Sequence, residues 1–366
     1  MSPAPIALLV AGALVIALCG CTTAPASTTI SVSAEHCGEG WTRPHSGQQT
    51  FPLANDDIAS GEVYLTEAKT GDVYAYVDDL APGSTANLRI DLGSGRYAFR
   101  CAITDRGVAV GPTVTVGGHA EGGPKPVKPV SEQDLIPLAQ QYQRWVATRL
   151  TLLVPLVDAL DHDIRAGDYP VAKTDWLSAH SAWAQLGAAY DAFGGAGAAI
   201  DGTTEGLPQG IADPAFIGFH RVESGLWSGE PVATLAPAAG ELATDVAALS
   251  AGFGTQQIEP LDLSVRAHEI VEDGLRFDLD GTTDYGSGST LATVGAELAG
   301  TAVLLDLLKP ILRPRYPGLD QTEHDLEVAQ ADVHAAATRT LVVADISRLA
   351  ADLAPVASIC EPRRTS

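Results

Sequence analysis

The stretch Gly218-Phe219-His220-Arg221-Val222-Glu223-Ser224-Gly225-Leu226-Trp227 sets a histidine and a carboxylate three residues apart in an apolar frame. On a helix the two side chains share a face, and imidazole beside carboxylate is metal-ligand chemistry. Two ligands from one helix leave a cation mostly open, so other segments must contribute. A second stretch, Arg266-Ala267-His268-Glu269-Ile270-Val271-Glu272-Asp273, stands His268 and Glu272 one turn apart with Glu269 adjoining them. Facing helices that each present a histidine and a carboxylate are how bundle metal sites are built. The expectation is that His220, Glu223, His268, Glu269 and Glu272 converge on one cation. Each pair also has a local reading: a buried histidine bonded to its own neighbour, and an amphipathic helix with a solvated acidic face, which suits Asp273.

Hydrolytic chemistry fits less well. His268-Glu269-x-x-Glu272 lacks the second histidine of a His-Glu-x-x-His zinc helix. No Gly-x-Ser-x-Gly elbow follows a strand, and Gly286-Ser287-Gly288 opens a helix instead. The chain is therefore expected not to be an enzyme, with a metallopeptidase kept as the alternative.

The elements that must position these residues are legible in outline. A chain of 366 residues exceeds the usual single core. Against 22 Lys and Arg stand 45 Asp and Glu, for a formal charge of −23. That field repels nucleic-acid backbones and draws cations near, so no nucleic-acid partner is expected.

Residues 1–20 carry no charge, and Ile6 to Leu18 form an apolar run too short to span a bilayer but suited to a signal peptide. Leu18-Cys19-Gly20-Cys21 ends it like a lipobox, which makes Cys21 the expected lipidation site and 21–30 a tether. Beyond residue 21 no other run is expected to cross a membrane, so the remainder is placed on the extracytoplasmic side. Disulfides are permitted there. Cys37 and Cys101 bracket the segment that follows and form the expected pair; reduced, they could bind a metal with Glu62.

Residues 31–116 read as about seven short strands. Glu62 to Thr66 and Val73 to Val77 flank a turn at Lys69-Thr70-Gly71-Asp72, and Asn87 to Leu92 and Arg96 to Ile103 form a second pair around Gly93-Ser94-Gly95. This suits a small sandwich. Its only methionine candidate is Met1, and no histidine lies between Cys101 and His119, so a blue-copper centre is missing. Residues 117–130 have linker composition. From Ser131 to about 355 the period is helical, opening on a Ser131…Asp134 capping pair, with helices expected near 132–166, 170–193, 214–228, 237–251, 260–279, 289–312 and 321–353.

The chain resembles the EfeO/imelysin family almost end to end. The matches are Cys37-Gly38-x-Gly40-Trp41, Ala81-Pro82-Gly83, Gly95-x-Tyr97-x-Phe99-x-Cys101, Gly218 to Trp227, Arg266 to Asp273 and Asp284-Tyr285-Gly286-Ser287-Gly288. The resemblance implies an all-β cupredoxin-like sandwich followed by an all-α, imelysin-like helical-bundle domain, with His-x-x-Glu as part of a metal site. It also implies an extracytoplasmic lipoprotein, in the periplasm or cell envelope, of an iron uptake system with an EfeU-type permease and an EfeB-type haem peroxidase. The cargo would be iron, as Fe2+ or Fe3+, with zinc or copper competing. A scaffold or adhesion lipoprotein with a degenerate metal site is a further alternative. One departure stands out: the family's carboxylates of the 183–197 region would fall at Ala184, Gly187 and Gly197, none of which can ligate.

Overall fold

The computed structural model describes residues 29–118 and 123–364; the expected signal peptide and the expected lipidation site, Cys21, lie outside them. The chain divides into two compact units between Pro126 and Val127.

The first unit is a β-sandwich. Its strands are β1 (Ile30–Val32), β2 (Gly47–Asn55), β3 (Gly61–Glu67), β4 (Val73–Leu80), β5 (Thr85–Leu92), β6 (Gly95–Ile103), β7 (Gly107–Val110) and β8 (Val114–Val116). One sheet has the order β1-β2-β5; the other runs β4-β3-β6-β7 with β8 also on β6. β3 and β4 form the hairpin expected around Gly71. The expected second pair does not form: β5 runs antiparallel to β2 and β6 to β3, so Gly93-Ser94 carries the chain from one sheet to the other. The odd-numbered face of β6 explains why. Tyr97, Phe99, Cys101 and Ile103 are all buried, so the strand belongs at the centre of its own sheet. Cys37 and Cys101 are bonded to each other, with Cα atoms 5.8 Å apart, beside Trp41, whose ring packs edge-on against Phe51 and Phe99.

The second unit is helical. α1 (Glu132–Ala166) begins at Ser131, whose hydroxyl caps Asp134 N while the Asp134 carboxylate reaches back to Ser131 N. Its buried residues, Leu135, Ala139, Tyr142, Val146, Leu150, Leu153, Val157, Leu160 and Ile164, recur at steps of three and four, one stripe of a 3.6-residue period. Each large apolar side chain so buried contributes about 1.5–3 kcal/mol. α2 (Tyr169–Ala184) returns along α1; then follow α3 (Tyr190–Phe193), α4 (Gly195–Asp201), α5 (Gly218–Ser228), α6 (Val232–Gly252), α7 (Asp262–Asp273), α8 (Thr290–Leu312), α9 (Leu319–His334) and α10 (Arg339–Cys360).

Three expected helices are cut shorter or divided. The one at 170–193 ends at Ala184, and Gly187, Gly194 and Gly195 mark the turns that follow. The one at 214–228 starts only at Gly218, because Asp213 caps a turn at Ala215 rather than a helix. The one at 321–353 divides at Ala335–Thr338, where Ala336 takes φ +50°. Cys360 is buried at the end of α10, and burial pushes its thiol up to about 12.

Two segments, Val232–Thr255 and Thr290–Leu312, are long and apolar enough to cross a bilayer by length and composition, contrary to expectation. α8 packs on α1, α2, α7, α9 and α10, which accounts for its apolar surface as a core helix.

Candidate metal centre

Gly218 decides where His220 stands. Its φ is +81°, and a Cβ there would lie 2.3 Å from the carbonyl oxygen of Ile200. Glycine alone tolerates both the left-handed backbone and that approach. The start of α5 is thereby pressed against the end of α4, and the residue after Ile200 is Asp201.

His180 reaches the same point from α2. Its ring stacks on Trp176 at 4.6 Å, and the Trp176 indole N–H donates to Phe219 O at 2.9 Å, tying α2 to α5. The His180 and His220 rings are 5.4 Å apart. Asp201 Oδ1 lies 3.5 Å from Nε2 of each histidine. That oxygen is buried without a hydrogen-bond partner. Among the described residues, His180, Asp201 and His220 form a group whose ligand atoms all lie within 4.8 Å of one another. Ligand atoms at ~2.1 Å from one cation stand about 3.0–3.4 Å apart, so the 3.5 Å spacing of Asp201 from each histidine is near that of a coordination set.

The far nitrogens are held from behind. His220 Nδ1 lies 3.3 Å from Glu223 Oε2, and His180 Nδ1 lies 3.5 Å from Thr293 Oγ1. Partners behind a histidine commonly orient it toward a metal. The three residues line a cavity of about 560 Å³. Asp278, Glu297 and Glu205 add carboxylates to its wall, and among the described residues no Lys or Arg lines it. Asp278 comes from a π-helical turn (Gly274–Asp278) that follows α7, a local irregularity often found at functional sites.

The electrostatics follow from this arrangement. Burial opposes the charge on Asp201, yet His180 and His220 hold its carboxyl down at about 2. Burial pulls the His220 ring down, but Glu223 and then Asp201 outweigh it and raise it. Asp278 is pushed up by burial and by Asp201, against the lowering effect of the Thr283 hydroxyl bonded to it at 2.6 Å. Glu297 is pushed well above the ordinary carboxylate range by burial and then by Asp278. A carboxylate-rich cavity with two imidazoles and, among the described residues, no Lys or Arg on its wall has the donor set of a cation receptor.

The five expected site residues do not converge. His220 is at the centre, with Glu223 behind it rather than on the cavity wall. His268 pairs with Glu272 at 3.6 Å and both line a different pocket, against Ser347, Ala350, Ala351 and Ala354 of α10. Glu269 is engaged by Arg266, which also bonds Tyr190 and Asp191. The reason is helical phase: the buried face of α7 is Leu263, Ala267, Ile270 and Val271, which turns His268 and Glu272 elsewhere. Ala184 and Gly187 do line the cavity, as small residues. Asp201, four residues beyond Gly197, brings a carboxylate to the cavity. His180 and Asp201 were missed from the sequence; a histidine on the buried side of α2, with Trp176 and Trp183, is the signal that could have found the first.

Residues 138–354 match the family described as Imelysin, or peptidase M75. The chain belongs to the imelysin family. This imelysin-family chain is also 24% identical, over 245 residues, to proteins named "Iron uptake system component EfeO" from Escherichia coli K12, Escherichia coli O157:H7 and Shigella flexneri. The aligned region covers 66% of this chain and 63% of each of those relatives.

Proposed function

We propose that this protein captures iron outside the cytoplasm and passes it to a membrane permease, as a binding component of an iron uptake system. The observation that carries the reading is the convergence of His180 Nε2, Asp201 Oδ1 and His220 Nε2 within 4.8 Å. Two imidazoles and one carboxylate with further positions open are a set suited to iron(II), and zinc or copper would compete for the same nitrogens. The relatives' printed name supports the iron assignment, and "component" supports partners, for which an EfeU-type permease and an EfeB-type haem peroxidase are proposed. Lipid on Cys21 would hold the chain at the membrane.

A carrier is favoured over a peptidase by the placement of α7. Its His-Glu-x-x-Glu stretch lines a pocket without His180 and His220, and Glu269, the residue a zinc peptidase would use as base, is held by Arg266. Metal analysis of the purified full chain, dialysed anaerobically against Fe2+, tests the reading. Retained iron that is lost in His180→Ala is the expected result. Equal retention in His180→Ala, or peptide cleavage that requires Glu269 and zinc, would overturn it.

A further inference from the structure

Glu223 completes the His-x-x-Glu spacing, and spacing alone suggests a ligand. Its surroundings assign it other work. The side chain is 1% exposed. Oε1 accepts from Tyr285 N at 3.1 Å, Ser287 N at 3.0 Å and Ser287 Oγ at 2.5 Å. Oε2 faces His220 Nδ1 at 3.3 Å. Three donors saturate one oxygen and an imidazole edge takes the other, while the cavity wall is formed without Glu223.

The loop that Glu223 holds is itself laid against the site. Tyr285 packs its ring 5.1 Å from that of His220 and 5.0 Å from that of Phe216. Its hydroxyl oxygen accepts from Thr204 N at 2.9 Å, three residues beyond Asp201. Gly286, at φ +130° with Trp227 Cβ 3.0 Å from where its own Cβ would be, lets the loop turn in this close space.

We propose that Glu223 is a positioning residue and not a cation ligand: it accepts the Nδ1–H of His220, which leaves the Nε2 lone pair facing Asp201 and His180, and it pins the 284–289 loop against the same ring. This rests on reading His180, Asp201 and His220 as a cation site. The chemistry of a Glu223→Gln change follows from the donor count. The loop presents three donors, so the amide oxygen must face the loop and the amide NH2 must face His220. Nδ1 then has to accept, and the proton moves to Nε2, where it blocks the cation.

The test is 15N NMR of the histidine rings in the cation-free full chain, at a pH above the titration of His220, together with Zn2+ titration. Wild type is expected to show His220 as the Nδ1–H tautomer, Glu223→Gln to show the Nε2–H tautomer, and zinc affinity to fall about 10–100-fold with that change. Ser287→Ala removes one loop donor without altering what faces His220, so tautomer and affinity should stay within about twofold of wild type on the same hydrogen-bond argument. A bare Nδ1 in wild type overturns the proposal without any variant, as does unchanged zinc affinity in Glu223→Gln or a Glu223 oxygen bonded to the loaded cation. Absence of zinc binding in wild type would instead overturn the cation reading, and the tautomer would still decide the role of Glu223.

Discussion

His220 on α5 is 4% exposed and faces ligand-type atoms from α2 and α4, whereas His268 on α7 pairs at 3.6 Å with a Glu272 side chain that is 58% exposed. Both histidines stand about one turn from a glutamate on an amphipathic helix of the same unit. Such pairs form on any helix surface. What separates them is the neighbour each helix receives. α5 meets α4 through a glycine at which an added Cβ would stand 2.3 Å from the Ile200 carbonyl oxygen, and α2 brings a second histidine. The pocket beside His268 is walled by Ser347, Ala350, Ala351 and Ala354 of α10, which supply no metal ligand. A ligand pair becomes a site only where a second and third element deliver atoms to the same point.

Gly218→Ala is the harshest way to break that contrast. A left-handed backbone position and a backbone clash together should cost the helical unit about 2–4 kcal/mol, read by thermal or urea unfolding. The comparison change just past α7, Gly274→Ala, meets the far end of Glu297 at 2.9 Å and Val294 at an ordinary 3.9 Å, and should cost within about 1 kcal/mol. Equal losses would show that the α4–α5 approach is not special. Asp201→Asn keeps the shape and removes the charge, and should weaken zinc or iron binding about 10–100-fold, a loss of about 1.4–2.7 kcal/mol. The smallest effect belongs to α7: Glu272→Gln is expected to leave affinity within about twofold, because an exposed ion pair contributes little. A large loss there would move the site to the α10 pocket.

Much of this was legible in the residues, and the failures have physical causes. Ser131 and Asp134 announced α1, because a capping box is a local hydrogen-bond pattern, and His220 was legible because its glycine-framed stretch is distinctive. His180 carried no local mark: one imidazole on an apolar helix face is defined as a ligand only by what folds against it. Asp201 ends a short helix of glycine and alanine, and its role depends on Gly218 arriving 17 positions later in the chain. The crossing between β5 and β6 was hidden because Gly93-Ser94-Gly95 serves a hairpin or a sheet change equally well. The break at Ala335–Thr338 lacks glycine and proline altogether, so tertiary packing of α9 and α10 sets it. Glu223 was the subtlest case, since spacing names a residue's neighbours on the helix but not the loop that bonds its Oε1.

The proposed cation site belongs to α5 and not to α7. Calorimetric titration of the full chain with Zn2+, run side by side on wild type, His220→Ala and His268→Ala, tests it most directly. His268→Ala should bind as wild type does, within about twofold, and His220→Ala should lose about 100-fold or more, equivalent to about 2.7 kcal/mol. A loss in His268→Ala as large as that in His220→Ala, or wild-type binding in His220→Ala, would contradict it.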